Sequence, residues 1–135
     1  MNFLPAYLDS SALFKLMVPE SESDALERAL HAWPDWVSSA LAAVECRRAL
    51  KRLRVPAAVA KRADAVLAAT TMIRVDEPVL RLAGQVGLPM LCTLGAIHLA
   101  TARSMGDDPD VFITYDDRLA AAGRTLKLRV LQPGR

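Results

Sequence analysis

Five short runs of apolar or β-branched residues, separated by stretches whose apolar residues return every three or four positions, leave this chain few ways to fold. The runs are residues 4–8, with Leu4, Ala6 and Leu8 on one side, then 36–39, 70–75, 111–114 and 126–131. Between them helical spacing predicts helices over residues 10–17, 20–31, 40–53, 57–69, 77–86, 94–105 and 118–122. Val55-Pro56 separates two of these helices, Gly87 closes another, Thr93 is placed to cap the helix after it, and Gly123 ends the last. Strands alternating with helices favour a parallel sheet, because each crossover needs a helix-sized connection. The expectation is an α/β protein, a three-layer α/β/α sandwich around a central, mainly parallel sheet of four to five strands.

The 135 residues suit a single domain spanning 1–135, and a hydrophobic share of 53% is enough for one core without staples. Cys46 and Cys92 form neither a CxxC pair nor a disulfide framework, which fits a reduced compartment. No leader-like opening and no apolar run of membrane-spanning length is present, so a soluble cytoplasmic protein is expected. The net charge of +2 is unevenly spread. Residues 47–62 carry Arg47, Arg48, Lys51, Arg52, Arg54, Lys61 and Arg62 with no acid among them, either a solvated helix face or a footprint for phosphate.

The acids carry the chemical argument. Asp9 follows the first strand and precedes Ser10 and Ser11, where it either caps a helix or serves a site. Glu45 falls in the first turns of the helix after the second strand, and Asp116 and Asp117 follow the fourth. Right-handed crossovers bring all these junctions to the carboxyl edge of the sheet, the edge at which open α/β sheets bind ligands. Carboxylates crowded together need a cation, and hard oxygens without a zinc-like His or Cys pattern suit Mg²⁺ or Mn²⁺. With the hydroxyls of Ser10, Ser11 and Thr114 nearby, the set suggests metal-assisted phosphoryl chemistry. Arg48 and Arg52 share a helix face with Glu45, for an ion pair with it or for an outside phosphate or carboxylate, and Lys15 poses the same choice. Tyr115 and Trp36 are expected near that edge, for stacking on a planar ligand or for the core. His98, three residues past Gly95 and so on the same helix face, is either a structural imidazole or a group that acts as a base or contacts substrate. Asp107, Asp108 and Asp110 precede their strand and read as a solvated turn at the opposite edge.

Four segments in order, YLDSSALFKL, SSALAAVECRRAL, LCTLGAIHLATA and FITYDDRLAAAG, followed by LRVLQPG, resemble the PIN-domain nucleases and within them the VapC toxins. The resemblance implies catalytic, metal-binding roles for Asp9, Glu45 and Asp116, support from Ser11 and Thr114, and Asp117 as a further metal donor. It also implies an Mg²⁺-dependent endoribonuclease, an RNA substrate, a VapB-like antitoxin and a homodimer. One position departs from the pattern. Where such sequences carry an aspartate this chain has Gly95, and the preceding arginine is absent too, so the resemblance implies a lost ligand and impaired catalysis. Two rival readings stand beside this one. The first is a non-catalytic interaction module of the same fold; the second is a receiver-like phosphoacceptor, which wants an acid pair after the first strand and a lysine after the last.

Overall fold

The computed structural model describes residues 4–107 and 109–135; Asp108 therefore lies outside the described residues. Strands β1 (Ala6–Leu8), β2 (Trp36–Ser39), β3 (Thr70–Ile73), β4 (Val111–Ile113) and β5 (Val130–Leu131) form one sheet in the order β3-β2-β1-β4-β5, parallel throughout. The chain winds outward from β1 through β2 to β3, then returns to lay β4 and β5 on the other side. The order therefore reverses between β1 and β4, the kind of point at which parallel sheets open a crevice. In a receiver-like fold β1 would lie between β2 and β3, and here it lies between β2 and β4.

Side-chain alternation sends residues to both faces of the sheet, and both are covered. Leu8, Val111 and Ile113 meet α1 (Ser10–Met17), α2 (Ser23–Ala29), α3 (Ala40–Leu53) and α4 (Ala57–Ala69) through Leu13, Met17, Leu26, Cys46, Leu50 and Leu67. On the other face Tyr7 and Phe112 meet Leu99 of α6 (Thr93–Arg103) and Leu119 of α7 (Asp117–Thr125), while α5 (Glu77–Gly84) packs on α6. Among the described residues no helix is long and apolar enough to cross a membrane.

Local chemistry sets most boundaries. Ser39 caps α3 by accepting from the Leu41 amide at 3.2 Å, and Arg54 closes it in the left-handed region, φ 50°, ahead of Pro56. Asp76 caps α5 in the same manner through the Val79 amide. Several expectations need correction. Leu4 precedes β1 and is 40% exposed, and Leu53, the last residue of α3, is 60% exposed. The second helix is shorter than its pattern, because Ser23 accepts from the Glu20 amide and starts α2 there, with a 3₁₀ turn over Leu30–Ala32 after it. The third strand stops at Ile73, and α5 ends at Gly84, ahead of Gly87. Cys92, not Thr93, caps α6, its sulfur accepting from the Gly95 amide at 3.4 Å. Helix α7 runs through Gly123 to Thr125, because that glycine serves close packing: a Cβ there would meet Val130 Cγ2 at 2.9 Å. The last strand is only two residues long.

Candidate functional site

A cleft of about 640 Å³ opens at the carboxyl edge between α1, α3 and the β4–α7 junction, lined by Ser10, Ser11, Glu45, Arg48, Arg52 and Tyr115 among others. Asp9 lies under its floor. The backbone of Asp9 is extended, φ −75° and ψ 179°, so its side chain turns back over the first turn of α1 and accepts from the Ala12 amide at 3.0 Å. Asp9 thus caps the helix, and it also does more. Ser11 Oγ donates to the same oxygen at 2.7 Å, and Thr114 Oγ1 donates to the other at 2.6 Å. Thr114 Oγ1 in turn accepts from the Asp116 amide at 3.1 Å, and Ser11 Oγ accepts from the Tyr115 amide at 2.8 Å. These bonds stitch the β1–α1 junction to the β4–α7 junction across the point where strand order reverses. Asp9 is only 3% exposed, and burial pushes its carboxyl above the ordinary range despite these donors and the nearby His98.

Glu45 projects from α3 toward the same place. Its Oε1 accepts from His98 Nε2 at 2.9 Å. Partial burial works to raise its carboxyl, but bonds from His98 and Ser10 and the field of His98 outweigh that and hold it below the usual value. No arginine pairs with Glu45 among the described residues. Arg48 and Arg52 line the cleft without an intramolecular carboxylate partner there, while Arg47, on the opposite side of α3, pairs with Asp64 at 3.2 Å.

Asp116 caps α7, with Oδ1 accepting from the Arg118 and Leu119 amides at 2.9 and 3.1 Å. Asp117 points elsewhere. Its side chain is 80% exposed and its Oδ1 accepts from Arg135 and from Gln132. Gly95, in the first turn of α6, is buried and offers no donor. Leu91 occupies the space a side chain there would enter, its Cδ1 lying 2.8 Å from the Cβ position.

A divalent cation needs several oxygens turned toward one point. Both Asp9 oxygens are committed to internal donors, one Glu45 oxygen is held by His98, and Asp116 caps its helix. Among the described residues no three His, Cys, Asp or Glu side chains come together as one metal ion requires. The donors as arranged therefore do not fit a complete Mg²⁺ or Mn²⁺ site.

Other expected groups sort by register. Trp36 opens β2 and so lies at the amino edge, donating to the Trp33 carbonyl. Tyr115 is buried rather than open for stacking: its hydroxyl donates to the Pro133 carbonyl at 2.7 Å, and its ring has Lys15 4.8 Å and Arg135 5.5 Å from its centroid. Lys15 is itself spent on Glu20 and Glu22. Bonds from Ser21, Lys15 and Arg135 hold Glu22 down at about 2. Asp110, expected to be solvated, accepts from Trp33 Nε1 at 2.8 Å and pairs with Arg129. Sequence reasoning missed Arg135, which returns to the cleft wall from the end of the chain, and the contact of His98 with Glu45. The offset of three from Gly95 was the available signal for His98; nothing in the sequence pointed to Arg135.

A family model described as PIN domain matches residues 6–124. Ribonuclease VapC46 of Mycobacterium tuberculosis is 49% identical over 128 residues, covering 94% of this chain and 96% of its own. Ribonuclease VapC35 of the same species is 38% identical over 132 residues, covering 95% and 96%. A toxin–antitoxin complex from Klebsiella pneumoniae shares the fold at TM-score 0.71 and 21% identity, covering 95% of this chain and 97% of that one. VapC20 of M. tuberculosis, a sarcin-ricin loop cleaving toxin, does so at 0.70 and 20%, covering 87% and 95%. A match running from β1 into α7, joined to near-half identity along almost the whole length of a named relative, makes this chain a member of the PIN-domain family of VapC ribonucleases.

Proposed function

We propose that the chain is a cytoplasmic VapC-type toxin, an endoribonuclease that hydrolyses RNA phosphodiesters and is neutralised by a VapB-like antitoxin, acting as a homodimer. Asp9, Glu45 and Asp116 are its catalytic carboxylates, Ser11 and Thr114 support them, and Asp117 joins as a metal donor only by releasing Arg135. Arg48 and Arg52 hold the RNA backbone beside Glu45. The observation that carries this reading is the clamp on Asp9: an ionisable carboxyl buried at the strand-order reversal, tied to the end of β4 by Thr114 and lying beneath a cleft with two uncommitted guanidinium groups.

A Mg²⁺ or Mn²⁺ ion would need a further carboxylate beside Asp9, Asp116 and Asp117 to be held here, and would then supply Lewis-acid chemistry. The chain's own groups do the rest: Arg48 and Arg52 attract phosphate, and Ser11 and Thr114 fix Asp9. Catalysis is impaired because Gly95 removes one carboxylate from a site that needs its negative charge to hold a small hard cation.

The test is Gly95→Asp. Leu91 Cδ1 is the free end of a side chain and can rotate aside, so the helix should accept the aspartate. Incubated with total RNA and Mg²⁺, the unaltered chain should cut weakly or not at all. The variant should cut about 100-fold faster and lose that gain in EDTA. Full activity in the unaltered chain would mean that Gly95 is not a missing ligand. An inert Gly95→Asp variant that still binds a VapB-like peptide tightly would instead favour a non-catalytic interaction module.

A further inference from the structure

His98 is 2% exposed and has polar partners at both ring nitrogens. Nδ1 lies 2.7 Å from the Tyr7 hydroxyl, and Nε2 lies 2.9 Å from Glu45 Oε1 and 3.1 Å from Ser10 Oγ. An ionised carboxylate only accepts, so the proton between His98 and Glu45 resides on Nε2. The phenol of Tyr7 then meets Nδ1, donating to a neutral ring or accepting from a charged one. Tyr7 is itself immobile: its ring stacks on Phe112 at 5.0 Å and 6°, and meets His98 edge-on at 5.9 Å and 81°. A continuous chain of contacts thus runs from Phe112 in β4 through Tyr7 in β1 and His98 in α6 to Glu45 in α3.

That chain matters because of where it ends. Glu45 has a flexible side chain, lines the cleft and is 23% exposed, and its own helix gives the carboxylate no backbone anchor. We propose that His98 is a positioning residue for Glu45, its Nε2–H fixing Oε1 at the cleft wall beside Ser10, with Tyr7 holding the imidazole in register. This rests on the reading of the cleft as the place where RNA is cut. A buried histidine that merely filled space would pack as well without orienting Glu45, and the two roles separate by experiment.

Side-chain scalar couplings of Glu45, measured by NMR on the full chain, should report one rotamer. The same single rotamer should persist in His98→Gln, whose amide N–H reaches the Nε2 position, while His98→Leu should average it and Tyr7→Phe should average it in part. Thermal melts accompany each variant; if His98→Leu does not fold, Tyr7→Phe and His98→Gln decide the matter. Averaged couplings in the unaltered chain, or one rotamer kept in His98→Leu, or in Tyr7→Phe should His98→Leu not fold, would overturn the proposal. In the Gly95→Asp background His98→Leu should lower kcat about 30-fold with little change in KM, and His98→Gln should recover most of it. An unchanged kcat in His98→Leu would also overturn the proposal. A Gly95→Asp protein that cuts nothing overturns the nuclease reading alone, and the couplings still decide the role of His98.

Discussion

Asp9 carries two duties that pull against each other. As the cap of α1 and the acceptor of two hydroxyls it is well bonded, yet burial still pushes its carboxyl above the ordinary 3.8. A group whose folded-state value is raised gives stability that is fully present below the unfolded value and is lost as pH climbs through the folded one. Stability therefore falls as pH rises through the folded-state value of Asp9. Asp9→Asn keeps the cap, because its amide oxygen still accepts from Ala12 and Ser11 while Thr114 turns its hydroxyl proton toward Ser11, 3.4 Å away. The variant should melt about 3 °C higher at pH 7.5, a gain that shrinks toward pH 4, with RNA cleavage lost in the Gly95→Asp background. Melting curves at three pH values check it, and a melting point lowered equally at all three would show that burial of the charge is not the dominant influence on Asp9.

Elements show which parts of the structure were legible and which were not. Helices α3 and α4 coincide with their patterns because Ser39 and Pro56 are chemical stops that act without tertiary help. Asp9, Glu45 and Asp116 could be placed on one edge because parallel strands with right-handed crossovers leave no other choice. The grip of His98 on Glu45 was not legible, since it depends on how α6 crosses the sheet relative to α3. Nor was the return of Arg135, which follows from the turn at Gly134, φ 93°, packed against Glu22 and Ala25. Gly123 misled for a related reason: glycine signals a helix stop locally, whereas here the close approach of β5 requires it inside α7. Alanine is the better helix former by about 1 kcal/mol, but its Cβ would press on Val130, a stiff β-branched residue. Gly123→Ala should accordingly be destabilising by about 1 kcal/mol, and chemical denaturation should show it. A stabilised variant would mean that β5 shifts away at no cost.

On the scale of the whole molecule, the basic segment divides by partner. Arg47 is paired with Asp64, and Arg62 donates to Glu27 and to the Leu16 carbonyl, so both belong to the scaffold. Arg48 and Arg52, one helical turn apart on the cleft face of α3, are left to meet an outside anion. Each phosphate contact on a single strand releases condensed counterions and contributes about 0.7 to the slope of log K against log salt. Binding of a single-stranded RNA oligonucleotide, followed by fluorescence anisotropy in EDTA so that nothing is cut, should weaken as salt rises. Arg48→Ala and Arg52→Ala should each flatten that slope by about 0.7 and the double variant by about twice as much, whereas Arg47→Ala should leave it nearly unchanged. If Arg47→Ala flattens the slope as much as either cleft variant, the RNA follows the overall field of the basic segment and not the cleft beside Glu45. The difference between those outcomes turns on which side of one helix carries arginines that the fold has left without acids.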